Sequence, residues 1–325
     1  MLRNRIGIIL LTALAPAIWG STYLVTTELL PPGRPLLAAV IRALPAGLAL
    51  IAITRRLPKG SWWWRSLVLG ALNIGVFLAL LFIAAYRLPG GVAATVGALQ
   101  PLLAAVLAAG LLGERLTLRT VLTGLAGVAG VSLLVLRANA ALDTVGVAAA
   151  AGGAAVMATG VVLSKRWVAP APLLAVTGWQ LTAGGLLLVP VALAVEGPPP
   201  SSLTGANLSG YAYLSVVGAA ISYSLWFRGI RALPPIDVTF LGLLSPVVAT
   251  TLGWLVLDQG LTGLQMLGGL TVLAALVAAQ THGVRRPRGG PASAADPAAA
   301  REPAPDPERD ALPESTPAAP RARAC

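Results

Sequence analysis

An eight-residue segment appears twice in this chain, each time inside an apolar run long enough to cross a bilayer. Gly97-Ala98-Leu99-Gln100-Pro101-Leu102-Leu103-Ala104 returns as Gly242-Leu243-Leu244-Ser245-Pro246-Val247-Val248-Ala249. A shift of 145 positions without a gap superposes Phe82 on Phe227, Leu88-Pro89 on Leu233-Pro234, and Pro101 on Pro246. The match continues through Leu112 and Leu257, Leu116-Thr117 and Leu261-Thr262, and Leu122, Gly124, Leu125 and Ala129 with Leu267, Gly269, Leu270 and Ala274. Leu, Ala and Gly are common enough to produce some of these identities by composition. The paired mid-run prolines are harder to attribute to it. Proline inside a helix removes a backbone hydrogen bond and clashes with the preceding turn, so it kinks or opens the helix. One such proline reads as a packing kink of the kind membrane helices tolerate; a pair at corresponding places in two halves points to a carrier's binding site.

Composition sets the solvent. With 56% hydrophobic residues, 11% charged residues and a mean hydropathy of +0.80, the chain is expected to be polytopic in a membrane. About 20 apolar residues cross the hydrocarbon core, and ten candidates are predicted, near 6–27, 35–54, 66–86, 91–111, 119–136, 146–164, 173–195, 210–228, 237–257 and 262–281. Pro31-Pro32-Gly33, Pro58-Lys59-Gly60, Pro89-Gly90-Gly91, Gly197-Pro198-Pro199-Pro200 and Pro234-Pro235 supply turns between them. Arg3, Arg5 and Ala13-Leu14-Ala15 imitate a secretory signal, but the apolar stretch runs on past Trp19, so an uncleaved first helix is expected.

The formal net charge of +11 would suggest nucleic acid in a soluble chain; here the charges sit mostly between apolar runs, and no nucleic-acid partner is expected. Fifteen Lys and Arg fall in one set of flanks and only Arg34, Arg87 and Arg137 in the other. By the positive-inside rule both termini face the cytoplasm, in the inner (plasma) membrane. The second and seventh helices also match, at an offset of 137: Leu36-Leu37-Ala38 meets Leu173-Leu174-Ala175, and Ala46-Gly47 meets Ala183-Gly184. The first and sixth do not align convincingly. The expected fold is therefore all-α, ten transmembrane helices as two inverted five-helix repeats, 1–140 and 141–283, because an odd number of helices makes the second copy enter from the opposite side. Residues 284–325, rich in Pro, Ala, Arg and acids, are expected to form a disordered cytoplasmic tail whose Arg285, Arg286 and Arg288 meet anionic lipid.

Chemistry-bearing residues inside the spans are few. All twelve acids lie in connections, span ends or the tail, so the mid-membrane carboxylate that a proton/cation drug antiporter needs is missing and cationic drugs are disfavoured. Arg42 is the one charge well inside a span, read either as an attractor of substrate carboxylate or as a residue snorkelling to the interface. Trp19, Ser21, Thr22 and Tyr23, then Asn73, Gln100, Trp179, Gln180, Tyr223, Trp226 and Ser245, complete the polar and aromatic inventory. Gln100 and Ser245 directly precede Pro101 and Pro246 and could flank one central site. Gln180 and Asn73 read equally as interhelical glue. Trp62, Trp63 and Trp64 beside Arg65 fit an interfacial aromatic belt. Cys325 and His282 are single of their kind, so no disulfide, metal cluster or nucleophilic triad can be assembled, and no cofactor is expected.

Taken in order, Trp19-Gly20-Ser21, Arg42, Gln100-Pro101, Leu112-Gly113-Glu114-Arg115-Leu116, Ser245-Pro246 and Leu257-Asp258-Gln259-Gly260-Leu261 resemble the EamA family of the drug/metabolite transporter superfamily over residues 6–281. The resemblance implies ten helices, cytoplasmic termini and export of amino acids or other small metabolites. Gln259 stands where the first copy has Glu114, so a symmetric role for that acid does not follow; at a helix end Glu114 reads as a cap or ion-pair residue. The site residues expected on this reading are Trp19, Ser21, Thr22, Arg42, Asn73, Gln100, Pro101, Trp179, Gln180, Tyr223, Ser245 and Pro246, in a carrier whose partners are the lipid bilayer and a small-molecule metabolite, as a monomer or weak homodimer. Lipid translocation, a non-transporting partner subunit and an integral-membrane lipid enzyme are the competing roles. The enzyme lacks an acid/base set near the interface.

Overall fold

In a bilayer core every backbone N–H and C=O must be satisfied within the chain, which leaves the helix as the way for an apolar segment to cross. The computed structural model describes residues 2–87, 90–135, 143–258 and 260–281, and no strand occurs among them. Ten helices are long and apolar enough to span: α1 (Arg5–Leu29), α2 (Pro35–Thr54), α3 (Trp62–Ala84), α4 (Ala93–Leu112), α5 (Leu118–Val135), α6 (Thr144–Arg166), α7 (Leu173–Glu196), α8 (Gly205–Ala232), α9 (Pro235–Leu257) and α10 (Gly263–Gln280). The chain is a multi-pass membrane protein, and Ile53, Leu118 and Val195 stand among the large apolar side chains that its surface leaves for lipid. Leu88-Pro89, Arg137, Gln259, His282 and the expected tail 284–325 lie outside the described residues.

Local chemistry sets the ends. Thr204 and Asn207 form a reciprocal capping box at the start of α8, and Thr262 and Gln265 form another at α10. Asp143 caps α6 through the amide of Gly146. At the end of α4, Gly113 turns left-handed (φ 70°), and Asp258 does the same (φ 51°) at the end of α9, 145 positions later. The Glu196 carboxylate, from the last residue of α7, accepts the Leu36 and Leu37 amides at the start of α2, where α2 has no side-chain cap of its own. α3 begins at Trp62, so the Trp62–Trp64 run forms its first turn and not the connection before it.

The helices pack in reciprocal pairs: α1 lies against α8 and α9, α6 against α3 and α4, α2 against α7, and α5 against α10. The largest buried cluster joins α1, α2, α3, α6, α7, α8 and the start of α9 around Ile74, Val161, Leu181, Trp226 and Leu241.

Four spans depart from regular helix. α4 breaks at Ala98-Leu99, between Gly90–Gly97 and Gln100–Leu112, and α9 breaks at Gly242-Leu243, between Pro235–Leu241 and Leu244–Leu257. Both breaks precede the prolines: Pro101 and Pro246 sit in the first turn of the second segment, where a missing N–H costs nothing. The other two departures are π-helical turns, Ala71–Gly75 in α3 and Val216–Ile221 in α8, and their starts are again 145 positions apart.

Candidate functional site

A π turn holds one extra residue, which shifts the hydrogen-bond ladder and leaves a carbonyl without its usual α-helical donor. In α8 the amide of Ser222 bonds to Val217 and Ala219 and passes over Gly218, its partner in a regular helix. The Gly218 carbonyl becomes a hub. It accepts from Arg42 Nε at 3.1 Å and Nη2 at 2.8 Å, from Trp19 Nε1 at 3.2 Å and from Ser222 Oγ at 2.5 Å. Trp19 Nε1 also lies 2.9 Å from Ser222 Oγ. Arg42 thus has no ion-pair partner among the described residues; a backbone oxygen holds its guanidinium within the bundle.

A cavity of about 290 Å³ surrounds this arrangement. Trp19, Thr22, Arg42, Gln100, Tyr223 and Ser245 of the expected site all line it. Sequence reasoning left out Thr26, Phe77, Leu81, Phe82, Met157 and Leu214, which complete its apolar wall, and gave Trp226 only a supporting place. Phe82 had a usable signal, because it is one of four phenylalanines and pairs with Phe227 in the 145-residue register. The rings form a connected set, with Trp19 centred 5.1 Å from both Tyr223 and Trp226. Tilted aromatic pairs at this spacing are favourable and hold one another's orientation.

Gln100 and Ser245 enter the cavity from the first turn of the second segment of each interrupted helix. Gly20 makes the second break reachable: a Cβ there would lie 2.7 Å from the Ser245 carbonyl and 2.8 Å from Val248 Cβ, so only glycine lets α1 lie this close to α9.

The other expected site residues lie elsewhere. The Ser21 hydroxyl bonds to the Ile18 carbonyl and to the Tyr213 hydroxyl at 2.6 Å. Asn73, fully buried, donates to Gln180 Oε1 at 2.9 Å and to Ser164 Oγ at 3.1 Å, tying α3, α7 and α6 together away from the cavity wall. Trp179 donates to the Arg56 carbonyl at 2.7 Å and lies tilted against Trp62, at the end of the bundle where α2 finishes and α3 begins. Pro101 and Pro246 shape the breaks without lining the cavity.

The cavity runs from the level of Gln100 and Ser245 toward Thr26 and Pro35, at the end of the bundle where α1 joins α2. Polar contacts cross the opposite end. Arg5 and Asp237 form an ion pair at 3.0 Å, and Lys165 Nζ caps the carbonyls of Arg231 and Leu233 at 3.0 and 3.1 Å. Thr12 packs against Gly229 there. Near the same end burial pushes the Glu114 carboxyl up from its ordinary value, and Lys165 partly opposes the shift. No group of three or more His, Cys, Asp or Glu able to hold a metal occurs among the described residues.

Ten spans around a cavity lined by Arg42, Gln100 and Ser245 make a multi-pass membrane protein with a central polar cavity. The chain belongs to the EamA-like transporter family, whose sequence profile matches residues 6–136 and again 144–279. It is 48% identical over 268 residues to Protein PecM of Dickeya dadantii, covering 82% of this chain and 90% of that one. A WAT1-related chloroplastic protein of Arabidopsis thaliana is 31% identical over 275 residues, covering 79% of this chain and 66% of its own length. The uncharacterized inner membrane transporter YedA of Escherichia coli K12 is 29% identical over 245 residues, with 73% and 78% covered. A solved crystal structure superposes with a TM-score of 0.71 over 84% of this chain and 97% of its own, at 22% identity, and shows the fold. The chain is a membrane transporter.

Proposed function

We propose that this transporter exports small carboxylate-bearing metabolites, amino acids or related compounds, by alternating access of the central cavity between residues 1–140 and 141–283. The observation that carries the proposal is the state of Arg42. Two of its nitrogens are fixed on Gly218, and the third, Nη1, makes no hydrogen bond among the described residues and faces a cavity without an acidic side chain. A cation held in place with one donor left over is suited to an anionic group that must bind and leave again.

Alternating access is supported by the 145-residue register, which relates both breaks and both π turns, and by the reciprocal packing of α1 on α8 and α9 and of α6 on α3 and α4. Two halves of opposite orientation would carry the cavity from one face to the other by rocking. The bias of fifteen basic residues against three supports cytoplasmic termini, and on that orientation the cavity mouth at Thr26 and Pro35 faces outward. With no acid in the cavity, efflux runs down the substrate's own gradient. The protein works in the inner (plasma) membrane as a monomer or weak homodimer.

Mass-spectrometric profiling of cells expressing the wild-type chain, Arg42→Ala or empty vector tests this reading. Extracellular build-up of a carboxylate metabolite should appear with the wild type and vanish with Arg42→Ala at equal membrane abundance. No difference across a broad panel, with the protein correctly inserted, would remove small-metabolite export.

A further inference from the structure

No acid of the described residues lines the cavity. Asp237 is paired with Arg5, Asp143 lies 3.7 Å from Arg87 while capping α6, and Glu196 accepts the amides of Leu36 and Leu37. Glu28, Glu114 and Asp258 lie at helix ends outside the cavity lining.

What the cavity offers is unpaired donors. Arg42 Nη1 is free, and the Tyr223 hydroxyl, on a side chain only 3% exposed, makes no hydrogen bond among the described residues. Gln100 and Ser245 add further polar side chains to the same lining. Both stand at the tightened turns where α4 and α9 depart from regular helix, so two corresponding places of the chain meet the same space. Around these groups stand Trp19, Phe77, Phe82 and Met157.

Resting on the exporter reading, we propose that the cavity selects organic anions that carry no ammonium group and that have a planar aromatic body. A carboxylate meets Arg42 and Tyr223, and the ring lies among Trp19, Phe77 and Phe82. An α-amino acid brings the same carboxylate together with a cation for which the site has no counter-charge, and Arg42 repels that cation inside a poorly screened space. Neutral acceptors such as Gln100 Oε1 solvate an ammonium without balancing its charge. The zwitterion is therefore the weaker ligand and the free amine the weakest.

The test holds the ring constant and changes only the charge. Binding of 3-(indol-3-yl)propionate, tryptophan and tryptamine to the purified full-length protein in lipid nanodiscs is measured by titration calorimetry at neutral pH. The propionate is expected to bind at least tenfold more tightly than tryptophan, with tryptamine weaker still. Tyr223→Phe, which keeps the ring and removes only the hydroxyl, should weaken the propionate several-fold. Arg42→Gln should erase the anion-over-zwitterion preference. Ser245→Ala, which removes a hydroxyl from a residue of the cavity lining, serves as a second probe if either variant misfolds, and it too should weaken the propionate. Tryptophan or tryptamine binding as tightly as the propionate, an unchanged ranking in Arg42→Gln, or no binding by any of the three would overturn the inference. The exporter reading is decided separately: a zwitterionic metabolite found outside the cells would preserve export while removing this selectivity.

Discussion

The π turns at Ala71–Gly75 and Val216–Ile221 are one backbone device used for opposite purposes. Asn73 and Gly218 are equivalent in the 145-residue register. At Gly218 there is no side chain, so the exposed carbonyl captures Arg42 from α2 and a cavity remains around the pair. At Asn73 the position is filled by an amide that engages Gln180 of α7 and Ser164 of α6 within a fully packed wall. The comparison teaches that corresponding irregularities need not make corresponding sites. One π turn holds a guanidinium on its backbone oxygen beside a cavity; the other joins helices through a side-chain amide.

Substitutions can separate these roles. The largest effect is expected from Arg42→Met, which keeps the side-chain length and removes the charge. A charge-assisted hydrogen bond contributes about 1.5–3 kcal/mol, so transport should fall by about 10- to 100-fold. The thermal midpoint in detergent should move little, because Trp19 and Ser222 still reach the Gly218 carbonyl. Loss of stability on the same scale as the loss of transport would put Arg42 in the structural class with Asn73.

A smaller and opposite pattern is expected at the sealed turn. Asn73→Leu or Gln180→Leu strands a buried partner and should lower stability by about 1–3 kcal/mol, while any transport remaining per folded molecule keeps its substrate affinity. The double Leu variant removes both ends of the hydrogen bond and should recover part of that loss in thermal unfolding. If it is instead the sum of the singles, the bond is not what joins α3 to α7.

The smallest effect belongs to Glu114, near the end of the bundle opposite the cavity mouth. Its folded-state carboxyl titrates above its ordinary value of 4.5. The folded state therefore holds this proton more tightly than the unfolded chain, and stability declines as pH rises from the ordinary value to the raised one. Glu114→Gln should flatten that decline in midpoints measured from acid to neutral pH. An unchanged slope would assign it to another group.

The ten spans were legible because length and hydropathy are imposed by the bilayer itself, and the structure moved their ends by only a few residues. Gln100 and Ser245 were legible through the register, since a repeated proline marks a repeated break. Arg42 could be singled out as the lone mid-span charge, but its partner could not, because a shifted backbone ladder has no side-chain signature. Asn73, Gln180 and Trp179 looked like site residues for a related reason. Composition identifies a polar group inside a membrane without saying whether it faces a cavity, as Gln100 does, or a neighbouring helix, as Gln180 does.

The acceptor that holds Arg42 is a main-chain atom, and that has a genetic consequence. No codon replacement at position 218 can delete a carbonyl, whereas the donors at Arg42, Trp19 and Ser222 are each one missense change from loss. Only a frame-preserving insertion or deletion within Val216–Ile221, one that restores regular winding, takes the anchor away. The heritable weak point of this half of the site is therefore the length of α8 as much as its spelling.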